Sequence, residues 1–379
     1  MFLKIPIPTT GKEVSLYFHI PFCTKKCPYC HFYVVPNKPL FQNILSEALQ
    51  LEWEQKLPLL KGKTIVSVYF GGGTPTLFAI SEIEKILDRI KKKLEISPAS
   101  EITIEANPEE ANSVLFENLR KIGINRLSIG VQSLDDRELN ILGRTHSAKM
   151  AKKAIYEASS FFQNISIDLM YDLPDQTEAS WDYTLDEVAK LPITHLSLYN
   201  LTFEPHTSFY KRRHLLHPPD QTISLRLLQK AVHRLESLGL KRYEISAFAK
   251  ESYFSHHNTG YWTARPFLGF GPSAFSFWEG ERFRNIANLQ RYARSLKEGS
   301  SSVDFREKLS YPANVKELLA VNLRLLGGVD LRPFSPLPEE TQIAIKKWIE
   351  EGFLEQKANH LRLTEKGVLF YDAIAEDVI

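Results

Sequence analysis

The chain has 379 residues, of which 43% are apolar and 24% charged, with a formal net charge of +2 at pH 7. That is the make-up of an ordinary globular protein with room for one large domain and a smaller one; it excludes an obligate polyanionic partner, and no apolar run reaches the roughly 18–20 residues of a membrane span. The opening "MFLKIPIPTTGKEVSLYFHIPFC" lacks a basic region, an apolar stretch and a small-residue cleavage site in succession, so a reducing cytoplasm without structural disulfides is expected.

Short β-rich runs alternate with helical patterns. "SLYFHI" (15–20) reads as a strand, followed by a loop holding all three cysteines and an amphipathic helix around 39–57. "TIVSVYF" (64–70) is a second strand, running into "GGGTPT" and a helix near 80–94. "EITIEANP" (101–108), "RLSIGVQS" (126–133), "ISIDLMYDLP" (165–174) and "HLSLYNLTF" (195–203) follow, with helices around 112–122, up to about 158, near 178–190 and around 221–238. Repeated strand–helix units with near-continuous apolar strands predict a parallel α/β fold, a partial (β/α)6 TIM-like barrel over residues 1–245. Chemistry in such a barrel sits at the C-terminal ends of the strands, where most of the unusual motifs fall.

Past residue 245 the pattern changes. Residues 246–304 read as a connecting region, and "SHHNTGYWTARPFLGFGPSAFSF" (255–277), rich in aromatics and glycine, reads as a loop-rich insertion. Residues 305–379 predict a smaller, mostly helical domain in which a helix, a hairpin and a further helix resemble a winged-helix unit. That shape often binds DNA, but residues 337–379 hold five Lys/Arg against nine Asp/Glu, so a packing or lid domain is expected and nucleic acid is not.

The cysteines Cys23, Cys27 and Cys30 admit several parses. Cys27-Pro28-Tyr29-Cys30-His31 spells C-x-x-C-H, the pattern of covalent c-type haem; C-x-x-C alone suits a redox dithiol or half a zinc site; all three spell C-x3-C-x2-C, three thiolates for one iron–sulfur cluster. The expected compartment argues against c-type haem. A dithiol leaves Cys23 unused, and zinc would need His31 or His19 as fourth ligand. The cluster is favoured, with zinc second. A cuboidal cluster with three cysteines keeps one iron open to a ligand.

Other candidates lie at strand ends. Gly71, Gly72 and Gly73 would let backbone approach a ligand closely and leave backbone groups free to bind a polar one. The dinucleotide pattern G-x-G-x-x-G does not fit them. Glu105 ends the third strand, where it could hold a charged amino group. Gln132 and Ser133 end the fourth. Asp168 sits inside an apolar strand and needs a partner, for which Arg144 in "GRTH" is the candidate.

"HIPFCTKKCPYCHF" followed by "YFGGGTPT" resembles the radical S-adenosylmethionine (SAM) superfamily, and "IGVQS", "GRTH" and "IDLMYDLP" extend the likeness to the oxygen-independent coproporphyrinogen III dehydrogenase (HemN)-like group. The resemblance implies a radical SAM barrel with a HemN-type C-terminal domain. It implies that Cys23, Cys27 and Cys30 ligate three irons of a [4Fe–4S] cluster while SAM chelates the fourth, to be cleaved by one electron to a 5′-deoxyadenosyl radical. Tyr17, Gly72 and Glu105 would contact that SAM. Tyr29, Gly73, Thr74, Gln132, Arg144, Asp168 and Thr202 match positions for a second SAM, and Phe275 a further backbone contact.

Two departures bear on activity. The dehydrogenase pattern continues C-x3-C-x2-C-x-C, whereas this chain has Phe32, and only about 14 residues precede the first strand. C-x3-C-x2-C-x-F together with H-N-x-x-Y-W resembles the haem-chaperone branch of the group instead. By that resemblance His257, Asn258, Tyr261 and Trp262 would contact haem. The expected function is a haem chaperone delivering haem to acceptors such as respiratory proteins. The alternative is an oxygen-independent coproporphyrinogen III oxidase forming protoporphyrinogen IX. An electron donor such as a flavodoxin or ferredoxin is implied; a homodimer and peripheral membrane association are compatible with it, though no amphipathic anchor is evident.

Overall fold

The computed structural model describes residues 11–379; residues 1–10, the start of the stretch read for a leader, lie outside it. The six predicted strands are β1 (Glu13–Ile20), β2 (Thr64–Gly72), β3 (Glu95–Ala106), β4 (Arg126–Gln132), β5 (Asn164–Tyr171) and β6 (His195–Asn200). They lie side by side in that order, all parallel. Between them run α1 (Pro39–Lys56), α2 (Ile80–Lys93), α3 (Ser113–Ile122), α4 (Asp136–Ile141), α5 (Ala148–Ser159) and α6 (Glu178–Val188), and α7 (Gln221–Ser237) follows β6. Most of these starts are chemically marked: Asn112, Asp135, Ser147, Thr177 and Asp220 each cap a helix by accepting backbone N–H groups.

The two faces of the strands differ. Leu16, Phe18, Val68, Phe70, Ile104, Leu127, Ile129, Ile167 and Leu196 are fully buried and belong to the core shared with the helices. The alternate positions carry polar groups paired across neighbouring strands. Ser15 stands opposite Ser67, Tyr17 opposite Tyr69, Glu105 opposite Ser128 and Asp168 opposite Ser197. The strands therefore alternate, where the sequence suggested near-continuous apolar runs, because the interior face meets a polar filling rather than a second apolar layer.

That filling is the segment predicted as a loop-rich insertion, and here the structure differs from the expectation. After β7 (Lys241–Glu244) and β8 (Ala247–Ala249) comes α8 (His256–Trp262), which contains the whole HNTGYW stretch. Ser255 caps it, and the Glu101 carboxylate accepts the N–H groups of His256 and His257, both at 3.0 Å, while pairing with buried Arg126 at 3.8 Å. Tertiary contacts thus hold as helix a stretch whose Thr, Gly and aromatic residues have modest helix propensity.

The sheet then continues on the other side of β1 through β9 (Phe267–Phe270), β10 (Phe275–Trp278), β11 (Glu281–Asn285) and β12 (Val303–Lys308), with α9 (Leu289–Lys297) inserted before β12. The full order is β12-β11-β10-β9-β1-β2-β3-β4-β5-β6-β8-β7, parallel from β9 to β6 and antiparallel at both flanks. Strands of four residues are too short to display a period of two, which is why the sequence hid them. Gly269 is required where β9 meets β10, since a Cβ there would lie 2.1 Å from the Phe275 carbonyl oxygen.

The remaining chain forms α10 (Ala313–Asn322), β13 (Val329–Asp330), α11 (Glu339–Glu350), β14 (Leu354–Lys357), β15 (His360–Leu363) and α12 (Tyr371–Val378). A three-stranded sheet, β13-β15-β14, packs with these helices around Leu319, Ile345, Leu361 and Ile374, the helix–hairpin–helix arrangement expected of a winged unit. Arg324 ties it to the barrel, pairing with Glu244 at 3.3 Å and lying 4.3 Å over the Trp262 ring.

Glu101 is the joint between α8 and the barrel. A Glu101→Ala variant leaves Arg126 buried without its counter-charge and is expected to lose about 3–5 kcal/mol, measured as a fall in the urea midpoint followed by circular dichroism.

Candidate functional site

The cysteine loop leaves β1 and is fastened to "GGGTPT" at the end of β2. Gly73 N–H donates to the Ile20 carbonyl at 2.9 Å and Thr74 N–H to the Phe22 carbonyl at 2.7 Å. A Cβ on Gly73 would lie 2.5 Å from the Phe22 oxygen, and Gly72, at φ +115°, would push one within 2.6 Å of the His19 ring. The glycines thus permit loop-to-loop contact. The N–H groups of Gly72, Gly73 and Thr74 are engaged within the protein, so of their backbone groups only carbonyls are left to meet a ligand.

Cys23, Cys27 and Cys30 are partly exposed and unbridged. They line a cavity of 410 Å³ at the C-terminal ends of the strands, together with Tyr29, Gly72, Gly73 and Thr74 from the two loops. Glu105, Gln132, Arg144, Asp168 and Thr202 reach the same cavity from the following strand ends. Burial pushes the Cys23 thiol up to about 11 and raises that of Cys30, so a positive centre is needed to hold these groups as thiolates. Among the described residues no three of His, Cys, Asp or Glu gather around one point suited to a single metal ion. A cuboidal cluster takes thiolates at its separate iron corners, a role that three cysteines on one loop can fill.

The floor of the cavity is acidic. Glu105 accepts the Tyr69 hydroxyl at 2.8 Å and the Gly72 N–H at 3.1 Å. Burial, then the neighbouring Asp168 charge, pushes its carboxyl up to about 7. Asp168, receiving the Ser128 hydroxyl at 3.5 Å, is pushed by burial to about 6. The predicted Arg144–Asp168 ion pair is not formed. Arg144 donates instead to Asn107 Oδ1 at 2.7 Å and the Gly130 carbonyl at 2.9 Å, with Nη1 3.7 Å from Cys27 Sγ. These acceptors close over Arg144 from the β3 and β4 ends, so it never descends to Asp168 on β5. Two carboxylates without an ion pair, beside a buried Arg144 Nε without a hydrogen-bond partner, fit a ligand carrying both a cation and a carboxylate.

Gln132 ends β4 at φ +68°, a left-handed conformation uncommon for a residue with a side chain. It lies where the β4–β5 register shifts. Asn107 was missed by the sequence reading. Its Nδ2 donates to Thr74 Oγ1 at 2.7 Å while its Oδ1 holds Arg144, linking the ends of β2 and β3 to the segment after α4. Its only signal was its place in "EANP", directly after a strand.

Two expected SAM contacts stand apart. Tyr17 lies in the wall below, its hydroxyl 3.2 Å from His19 Nδ1. Phe275 is on β10, 47% exposed, and faces a second cavity of 790 Å³ because its segment forms a strand beyond β1 instead of a loop over the mouth. Tyr261 and Trp262 also line the second cavity, while His31 and Phe32 border both cavities. His257 is 1% exposed, its ring held by Ser67 Oγ at 2.9 Å and Tyr261 Oη at 2.8 Å. Asn258, next on α8, is partly buried and lines neither cavity.

A parallel barrel with a three-cysteine loop after its first strand and acids at its mouth is the architecture of a radical SAM protein. In agreement, residues 17–188 match the radical SAM superfamily and residues 309–370 the HemN C-terminal domain. The chain is 35% identical to heme chaperone HemW of Buchnera aphidicola subsp. Schizaphis graminum over 95% of its length and 97% of the relative's. It is 31% identical to heme chaperone HemW of Escherichia coli over 96% and 97%. The chain belongs to the HemW family. In fold it matches the solved structure of coproporphyrinogen III oxidase (HemN) from Escherichia coli with a TM-score of 0.84 at 23% identity, covering 98% of this chain and 91% of that one.

The raised carboxyls of Glu105 and Asp168 make stability depend on pH. Folded values above unfolded ones mean that stabilisation is complete below the unfolded values and fades as pH rises through about 6 to 7. Cluster-free protein is expected to lose on the order of 2 kcal/mol between about pH 5 and about pH 8, and Glu105→Gln to remove much of that slope, as read from urea midpoints across the range.

Proposed function

We propose that this protein is a haem chaperone, binding haem and passing it to acceptor proteins, with a [4Fe–4S] cluster and SAM at the barrel mouth. The observation that carries the reading is kinship along nearly the whole chain with proteins named heme chaperone HemW. Phe32, where the porphyrinogen enzymes carry a further cysteine, favours it over porphyrinogen oxidation.

Cys23, Cys27 and Cys30 would hold three irons. When bound, the cluster supplies one open iron for the SAM amino and carboxylate groups and a path for one electron from a donor such as a flavodoxin or ferredoxin. The chain's own groups do the rest. Glu105, kept in place by Tyr69 and Gly72, offers a carboxylate to the ammonium, and becomes fully ionised when that cation arrives. Arg144 would hold its charge against the Cys27 side of the cluster, with its buried Nε still without a hydrogen-bond partner. Tyr29, Thr74, Gln132, Asp168 and Thr202 surround the remaining space, enough to orient a second SAM or the adenosyl portion of the first. The HNTGYW helix supplies the haem side, with Tyr261 and Trp262 facing the second cavity, and His257 and Asn258 behind them.

Anaerobic reconstitution should give a brown protein whose iron and visible absorbance are lost in the triple variant Cys23→Ala, Cys27→Ala, Cys30→Ala. Glu105→Gln should weaken SAM binding about tenfold, the scale of one charged hydrogen bond, measured by calorimetry on reconstituted protein. Haemin should bind with a Soret shift and transfer to an apo-acceptor. Conversion of coproporphyrinogen III to protoporphyrinogen IX, with SAM and reductant, would overturn the chaperone reading.

A further inference from the structure

The second cavity has a composition that none of the barrel-mouth chemistry uses. Tyr33, Tyr261, Trp262, Phe267, Phe275 and Phe277 give it flat apolar walls, and its 790 Å³ lies within the range of pockets that enclose a small organic cofactor. Three arginines line it against one acid, Glu317. Arg282 pairs with Glu307 and Glu317, and Arg284 with Asp304. Arg265 is different: it donates to Ser15 Oγ at 3.3 Å and the His256 carbonyl at 2.7 Å, and no carboxylate comes within ion-pairing distance among the described residues. Its Nε, like the Trp262 indole N–H, is buried without a hydrogen-bond partner. Flat walls, an arginine lacking a counter-ion and two unpartnered donors suit a planar aromatic ligand with carboxylates.

Such a ligand with a metal at its centre also needs an axial donor. Three histidines are near. His19 is 4% exposed, its ring nitrogens held by Tyr17 Oη and the Tyr33 carbonyl at 2.9 Å. His257 is engaged at both nitrogens and 1% exposed. His31 is exposed, stacked on Phe32 at 4.5 Å between ring centroids, and borders the second cavity. Among the described residues no hydrogen bond or ion pair engages its imidazole.

We propose that His31, not His257, is the axial ligand through which haem iron is held in the second cavity; this rests on the chaperone reading above. His257 is then a positioning residue that keeps Tyr261 facing the haem. The arrangement sets haem iron beside the cysteine loop, since His31 follows Cys30 directly.

Full-length, cluster-reconstituted protein titrated anaerobically with haemin tests this in wild type, His31→Ala, His31→Met and His257→Ala. His31→Ala should bind at least tenfold more weakly with a shifted Soret band that added imidazole restores. His31→Met should retain haemin with the altered spectrum of a thioether on the iron, and should keep the wild-type iron and sulfide content. Spectra of His31→Ala and His31→Met identical to wild type would overturn the proposal. So would loss of axial ligation in His257→Ala alone, with the fold intact; either result leaves the chaperone reading standing. A wild-type protein that binds no haemin defeats that reading itself.

Discussion

Glu105 and Asp168 are two carboxylates inside a low-dielectric barrel mouth, and neither has a cation within ion-pairing distance among the described residues. Left alone they keep protons that ordinary carboxylates would release, because charge there is poorly solvated and each acid repels the other. The surrounding structure holds this unfavourable pair in place. Tyr69 and the Gly72 N–H fix Glu105, Ser128 and Ser197 donate to Asp168, and Arg144 is diverted onto Asn107 and Gly130 before it can neutralise either. A cation entering such a site would meet acids that no arginine already satisfies, and its arrival would release their protons.

The same strands carry the wall between the two cavities. Tyr17 and Tyr69 stack with ring centroids 6.2 Å apart, and Tyr69 lies 4.8 Å from the His257 ring. Tyr69 also holds Glu105, while His257 holds Tyr261. One layer of side chains therefore reaches the cysteine-lined cavity through Glu105 and the aromatic cavity through Tyr17 and Tyr261. The HNTGYW stretch does two jobs by this account. Its first half fills the barrel interior and its last two aromatics face outward.

The barrel was readable because strand–helix alternation, capping residues and glycine runs are local signals. The cysteine spacing with GGGTPT was readable for the same reason, and Tyr29, Gly72, Gly73, Thr74, Glu105, Gln132, Arg144, Asp168 and Thr202 line one cavity with the cysteines, whereas Gly71, Ser133, Tyr17 and Phe275 do not. What escaped reading depends on distant partners. Asp168 looked as if it needed Arg144, but the choice was decided by Asn107 and a backbone carbonyl that pattern alone could not bring near. The 255–277 segment looked like a loop because a seven-residue helix stabilised by Glu101 and strands of four residues leave no periodicity to detect. His257 looked available because sequence shows a histidine beside aromatics and not the Ser67 hydroxyl behind it.

β1 lies at the middle of the sheet, with Ser15 opposite Ser67 on one side and Phe267 on the other. During synthesis the barrel side of that strand can pair early, but its second neighbour emerges only when most of the chain has been made. The cysteine loop hanging from β1 is thus set against GGGTPT well before the aromatic wall beyond it exists. The cysteine-lined cavity and the aromatic wall are therefore completed at different stages of synthesis, although the finished molecule sets them side by side.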